Sequence, residues 1–269
     1  MSRNKSGHRG PVRAKKHLGQ HFLRSPIVSE RMADALSCSD QWAHILEVGP
    51  GTGALTQPLL QRHGKKVRAV EVDLESVAYL YNAPWIDREQ VVAGDLLHMT
   101  PEQLGLGSSP FAIAGNFPYN ISSQILFKAL DWRDRVPELV GMFQREVAER
   151  VCAAHGSRVY GILSVLVQTY YTCEYLFTVP PEAFEPPPKV HSGVMRMVRT
   201  PERDPDVSHE ALVRVVKAGF GQRRKTLRNA LRNGGYSLEG LSEELLNRRA
   251  EQLAVEEFAE LAQIAKLAH

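Results

Sequence analysis

The sequence predicts an α/β domain built on a mostly parallel sheet, followed by a small all-helical domain. Three observations carry that reading. Short β-branched runs alternate with helix-like stretches up to residue 200, a glycine-rich turn follows the first run, and the texture changes beyond "RTPERDPD" (199–206). From there apolar residues recur at helical spacing in 210–219, 224–233 and 250–267, with Gly234-Gly235 as a break.

Taken in order, the expected strands are "HILEV" (44–48), "VRAVEV" (67–72), "QVVAG" (90–94), "FAIAG" (111–115), "ELVGMFQ" (138–144), "EYLFTV" (174–179) and "SGVMRMV" (192–198). These make a seven-stranded sheet. Helices are expected after Gly53, Asp73, Ser122 and Arg145, and another in "YGILSVLVQTYY", whose all-round apolarity predicts burial. The last two strands are joined by the proline-rich "VPPEAFEPPPKV" alone, which suits an antiparallel edge. The expected organisation is a basic tail over 1–24, the α/β domain over 25–200 and the helical domain over 207–269.

A chain of 269 residues accommodates that plan, and 43% hydrophobic with 23% charged residues is ordinary for a soluble globular protein. No run approaches the ~18 apolar residues that span a membrane. The basic N-terminus lacks the apolar core of a secretory signal. Cys38, Cys152 and Cys173 are scattered, odd in number and form no C-x-x-C pair, which argues against a disulfide framework or zinc site and for a reducing, cytoplasmic location.

Charge is distributed unevenly. Residues 1–24 carry seven Lys/Arg and no acid, and residues 211–238 carry seven more, again with no acid; removing these fourteen cations from a net +3 leaves −11 for the rest. Two basic segments on an acidic protein fit a polyanion partner. A charged tail and a solvated helix face fit the same composition.

"ILEVGPGTGALT" (45–56) reads as strand, glycine turn and helix start, with Gly49, Gly51 and Gly53 allowing close approach of backbone to a ligand. Gly49-x-Gly51-x-x-Ala54 also satisfies the loose dinucleotide fingerprint, and Glu71, ending the next strand, suits the ribose of NAD or of S-adenosylmethionine alike. Glu47 before the loop and Asp95 after the third strand favour the methyl donor: E-x-G-x-G-x-G is an acidic start associated with methyltransferases, and Asp95 can accept from an adenine amine. Asp95 and Asp73 can equally cap the helices that follow them.

"GNFPY" (115–119) follows the fourth strand, at the carboxyl edge where open α/β sheets bind ligands. An exocyclic adenine amine is a poor nucleophile because its lone pair is delocalised into the ring. Acceptors on both of its hydrogens, the Asn116 side-chain oxygen and the Phe117 carbonyl, would hold it for attack on a methyl group. Pro118 restricts Phe117 to extended backbone, and Tyr119 offers a ring for stacking. A proline turn leading into a helix at Ser122 explains the same residues structurally.

With "HLGQHFL" (17–23), "FQREVAERV" (143–151), "YGILSVL" (160–166), "VPPEAFEPPPKVHS" (179–192) and "FGQRRKTLRNAL" (220–231) added, the chain resembles the ribosomal RNA adenine dimethyltransferases over nearly its whole length. The bacterial enzymes acting on 16S rRNA are the most similar. The resemblance implies a Rossmann-like methyltransferase domain and S-adenosylmethionine as cofactor. It also implies N6,N6-dimethylation of two adjacent adenosines in the 3′-terminal hairpin loop of 16S rRNA, on an immature small subunit, by a monomer without a membrane anchor. It places the "GQxFL" stretch over the cofactor, so that His21 and Leu23 join Gly49, Gly51, Glu71, Asp95 and Asn116 as cofactor positions. Phe184 is implied as an aromatic wall opposite Tyr119; without the resemblance it reads as a core residue. Position 21 is His where Asn is frequent and position 117 is Phe where Leu is frequent. His21 lacks a Cys/His partner at ligand spacing, so no metal is expected.

The basic run Arg223, Arg224, Lys225, Arg228 and Arg232, with the N-terminal tail, is expected to hold phosphates flanking the target bases. If 223–232 is helical, Arg224, Arg228 and Arg232 share one face. Two alternatives are a large-subunit (23S) rRNA dimethyltransferase, against which "VPPEAFEPPPKV" argues, and a ribosome-assembly factor acting mainly by binding.

Overall fold

The computed structural model describes residues 12–222 and 224–267. Its strands and helices in chain order are β1 (Phe22–Leu23), α1 (Pro26–Asp34), β2 (His44–Val48), α2 (Thr56–His63), β3 (Val67–Glu71), α3 (Leu74–Tyr81), β4 (Val91–Ala93), β5 (Phe111–Asn116), α4 (Ser122–Asp131), β6 (Glu138–Gln144), α5 (Arg145–Val151), α6 (Ile162–Gln168), β7 (Tyr171–Val179), β8 (Phe184–Glu185), β9 (Ser192–Arg199), α7 (His209–Phe220), α8 (Leu227–Asn233), α9 (Glu243–Asn247) and α10 (Val255–Ile264).

Seven strands form one sheet in the order β4-β3-β2-β5-β6-β9-β7. The pairs β3–β4, β2–β3, β2–β5 and β5–β6 are parallel, and the sheet ends in an antiparallel edge. The apolar runs explain the centre: Ile45, Leu46, Val67, Ala69, Phe111, Ile113, Leu139 and Val140 are all fully buried, as strands covered on both faces require. Because β2 is the first long strand yet sits mid-sheet, the chain runs outward through β3 and β4, then returns through β5 to the other side. That reversal opens a crevice at the carboxyl ends of β2 and β5.

By internal contacts the chain divides into one compact unit of Met1–Arg145 with Phe177–Arg196 and a second of Glu146–Leu176 with Met197–His269; the divisions fall within α5, β7 and β9. In the second unit, Phe220 lies 6.1 Å from Tyr160 and 5.7 Å from Phe258 between ring centroids, forming an aromatic centre. Ser208 and Ser242 cap α7 and α9 by accepting from Ala211 N and Leu245 N. Residues 164–167 of α6 are buried, as its apolar sequence requires.

Several elements depart from expectation, among them the short strands β1 and β8 and the helix α9, none of which the sequence reading names. The run expected as helix over 223–232 is helical only from Leu227, so Arg224 is off the helix and shares no face with Arg228 and Arg232. Gly221, Gln222 and Arg224 lie in turns instead, with Lys225 N donating to Gln222 O at 2.8 Å, and Leu227 N is taken by Arg248 O at 2.8 Å. A glycine followed by crowded like charges is poor helix sequence, and the extended Thr226 sets the start. Helix α1 has no counterpart in the sequence reading; Pro26 at its first turn and the buried Ser29, Met32 and Ala33 account for it.

Candidate cofactor and base site

Asp95, Glu71, Gly49 and Asn116 stand at or just past the carboxyl ends of β4, β3, β2 and β5, four adjacent parallel strands. The sheet therefore sets them side by side. They line one cavity of ≈170 Å³, together with His21, Leu23, Gly51, Phe117, Pro118 and Tyr119. Gly49 and Gly51 adopt φ of 70° and 56°, and a Cβ on Gly51 would meet the Phe22 ring at 2.8 Å. The glycines thus let the loop turn and let residue 22 seat on it.

Glu71 is 4% exposed, and both of its oxygens are engaged: Oε2 accepts from Gly51 N at 3.0 Å and Oε1 from Asp73 N at 2.9 Å. Burial pushes its carboxyl up, opposed by these backbone donors. Each oxygen retains a lone pair for a further donor. Asp95 Oδ1 accepts from Leu97 N at 3.0 Å, so the helix-capping reading holds for it, and its second oxygen remains as an acceptor. Glu47, also in the wall, is 1% exposed, and its Oε2 has no hydrogen-bond partner among the described residues. Burial pushes its carboxyl up to about 8.

Asn116 Nδ2 donates to His21 O at 2.9 Å. Since a carbonyl only accepts, the amide nitrogen must face residue 21, which leaves Oδ1 as the free acceptor. Pro118 O accepts from Ile121 N at 3.2 Å, so a turn leads into α4, with Pro118 at its first position and not at the second, where the sequence reading put it. The Phe117 side chain is core: it is 1% exposed, packs edge-on against Phe143 at 5.0 Å and fills the space left by Gly115 and Gly141. Only its backbone is placed to act at the cavity. Tyr119 is held by a 2.7 Å hydrogen bond between its hydroxyl and Ser192 Oγ, and the His21 ring lies 5.5 Å away, tilted by 33°. Burial raises the Tyr119 phenol, opposed by the Ser192 bond.

The segment over the cavity is anchored at several points. Leu23 pairs with Phe184 and Phe22 with Glu185 in the two-stranded β1–β8 ladder. His21 Nδ1 donates to Pro186 O at 2.8 Å, and Arg24 pairs with Glu185 at 2.9 Å. Asp73 caps α3 through Glu75 N at 3.1 Å and also accepts from Gln20 Nε2 at 3.2 Å and from Lys15 Nζ. Burial pushes the Asp73 carboxyl up, but Lys15, Gln20 and Glu75 N outweigh it and hold it below the ordinary value.

Phe184 is not among the residues lining the cavity; it is 3% exposed and lies beside Leu23. Arg224, Lys225 and Arg232 are exposed, while Arg228 is paired with Glu243. Arg223 lies outside the described residues, as do positions 1–11 of the basic tail. Sequence reading missed Lys15, Gln20 and Ser192, whose partners are 58, 53 and 73 positions away. It also missed Val72, which lines the cavity and is 49% exposed directly after Glu71. Among the described residues no cluster of His, Cys, Asp and Glu could hold a metal, and no helix is long and apolar enough to cross a membrane.

Comparison with known proteins agrees with this geometry. The family model described as ribosomal RNA adenine dimethylase matches residues 12–267. A protein of Cytophaga hutchinsonii named Ribosomal RNA small subunit methyltransferase A is 46% identical over 250 residues, 93% of this chain and 96% of that protein. One of the same name from Flavobacterium johnsoniae is 48% identical over 253 residues, covering 94% and 95%. The fold is similar to that of a dimethyladenosine transferase from Plasmodium falciparum, with TM-score 0.71 and 24% identity over 90% of this chain and 96% of that one. It is also similar to the 23S rRNA methyltransferase ErmE, with TM-score 0.64 and 24% identity over 90% and 99%. This chain belongs to the ribosomal RNA adenine dimethylase family.

Proposed function

We propose that this chain transfers methyl groups from S-adenosylmethionine to N6 of two adjacent adenosines in the 3′-terminal hairpin loop of 16S rRNA. It would act as a monomer in the cytoplasm on the immature small subunit. The observation that carries the chemistry is the Asn116 amide, whose nitrogen is committed to His21 O, so that Oδ1 is presented to the cavity. Membership of the family and the name shared by the bacterial relatives support rRNA as substrate and the small subunit over the large.

The cavity suits S-adenosylmethionine by its donor set. Glu71 offers acceptors for ribose hydroxyls, Asp95 one for an adenine amine, and the orphaned Glu47 Oε2 one for an ammonium group. Two or more carboxylates in the wall also match a cation. Gly49 and Gly51 keep the loop free of side chains, and His21 and Leu23 cover it. When bound, this cofactor supplies an electrophilic methyl group on a sulfonium.

The chain's own residues prepare the amine. Asn116 Oδ1 and the Phe117 carbonyl accept its two hydrogens, which favours a pyramidal nitrogen with a localised lone pair. Pro118 holds the Phe117 carbonyl in extended geometry. Tyr119 stacks on the base, its ring fixed through Ser192. The nitrogen becomes acidic once the new bond forms, so no strong general base is required. The helical unit, through Arg224, Lys225, Arg228, Arg232 and the undescribed Arg223, would contact flanking phosphates.

Labelled methyl transfer tests the reading. Undermethylated 30S particles should take up label in 16S rRNA, and purified 23S rRNA should not. Label in 23S rRNA alone would favour the large-subunit reading. Tight 30S binding without transfer would favour an assembly factor.

A further inference from the structure

Asp73 does more than cap a helix. It follows Glu71 by two residues, is 2% exposed, and gathers donors from two separate parts of the chain. From its own helix come Glu75 N at 3.1 Å and Ser76 Oγ at 3.2 Å. From the segment that covers the cavity come Lys15 Nζ and Gln20 Nε2, the latter at 3.2 Å. Gln20 also turns back within that segment, its Oε1 accepting from Lys15 N at 2.9 Å. Lys15 approaches Glu75 as well, at 3.6 Å.

The same stretch orients the acid at the end of β3. Asp73 N donates to Glu71 Oε1 at 2.9 Å, while Gly51 N holds Oε2 at 3.0 Å. On its far side the cover rests on the glycine loop through Phe22 and on Asn116 through His21 O. Among the described residues, the Asp73 carboxylate is thus the buried side chain that pins Lys15 and Gln20 to the strand end that carries Glu71. Side chains of Lys15 and Asp73 are 32% and 0% exposed, so the pair is partly shielded from solvent.

We propose that Asp73 and Lys15 are positioning residues for the cofactor: their ion pair, bridged by Gln20, tethers the 15–23 cover to the strand end bearing Glu71 and so sets how long the cofactor is retained. This rests on the reading of the cavity as the S-adenosylmethionine site. Neither residue touches the reacting atoms. Their action is through the cover and through Glu71, so a variant should weaken retention and leave the chemical step nearly intact once the site is filled.

Two variants separate tethering from folding. Asp73→Asn keeps a good helix cap but loses the charge that holds Lys15. Lys15→Met keeps an aliphatic stem and touches no cap. Titration with S-adenosylhomocysteine should show affinity falling about tenfold in Asp73→Asn and about fivefold in Lys15→Met, the scale for partly buried charged hydrogen bonds. The double variant should fall by less than the product of the two. In steady state, KM for S-adenosylmethionine should rise while kcat at saturation stays within about twofold. Hydrogen exchange without any ligand should accelerate across 15–23 and stay unchanged across 74–81. Wild-type affinity and unchanged exchange at 15–23 in both single variants would overturn the tether. Failure of the wild-type protein to bind S-adenosylhomocysteine would overturn the cofactor reading beneath it, and the ligand-free exchange experiment tells the two failures apart.

Discussion

Glu47, Glu71 and Asp73 are 1%, 4% and 2% exposed, and both Glu71 oxygens are held by backbone donors. Arg224, Lys225 and Arg232 stand in solvent, while Arg228 pairs with Glu243. One region fixes its acidic side chains within the fold before any ligand arrives; the other displays its cations. A small cofactor with few contacts needs preorganised acceptors, whereas a phosphate backbone is recognised by the number and mobility of exposed cations. The contrast predicts that substitutions at the cavity act through geometry, and that substitutions in the basic segment act through ionic strength.

The sharpest break falls at the acceptor clamp. Asn116→Ala removes Oδ1 and the hold on His21 O, and methyl transfer should fall by about 10²-fold or more, as when a preorganised polar stabiliser is deleted. Near-normal turnover in the folded variant would sink the clamp. Glu71→Ala should weaken S-adenosylhomocysteine binding by about 1.5–3 kcal/mol, the range for hydrogen bonds to a charged group. Titration calorimetry reads it directly, and unchanged affinity would remove Glu71 from the site.

Glu47 gives a pH test of preorganisation. Burial pushes its carboxyl up to about 8 from an ordinary 4.5, opposed by Thr56 and reinforced by Glu71. The folded state therefore keeps a proton that the unfolded chain releases. That contribution to stability is fully present below the unfolded value and is lost as pH rises through about 8. Glu47→Gln stays neutral throughout. The wild-type melting temperature should thus fall relative to Glu47→Gln as pH is raised across this window, and parallel curves would contradict the buried neutral acid.

The smallest expected effect is in the basic segment. Replacing Arg224, Arg228 and Arg232 by Gln should flatten the salt dependence of rRNA binding by about one unit of log–log slope per lost phosphate contact. S-adenosylhomocysteine affinity should not change. Lower thermal stability with an unchanged slope would mean that these arginines serve packing instead.

The cavity was legible in the sequence because parallel strands place ligand residues at their carboxyl ends, and Glu71, Asp95 and Asn116 each follow an apolar run by the expected step. Pairings between distant segments were not. Lys15 with Asp73, and Tyr119 with Ser192, are separated by 58 and 73 positions and carry no local pattern. The two-residue strands β1 and β8 are too short for periodicity to register. The start of α8 was misplaced because like-charged residues at helical spacing were read as a helix face, whereas the bonds from Lys225 N to Gln222 O and from Leu227 N to Arg248 O decide it. Phe117 shows a different limit: it lies directly after β5 as its place in the sequence suggests, but nothing in one sequence says that its ring fills a gap between two glycines.

The central claim is that the strand-end cavity presents an adenine amine for methylation. Its most direct test is nucleoside analysis of 16S rRNA from undermethylated 30S particles after reaction with S-adenosylmethionine, for the wild-type protein and Asn116→Ala side by side. The account predicts N6,N6-dimethyladenosine at two adjacent positions with the wild-type protein and its near-absence with the variant. A product methylated at another atom or on another base, or equal yields from both proteins, would contradict it.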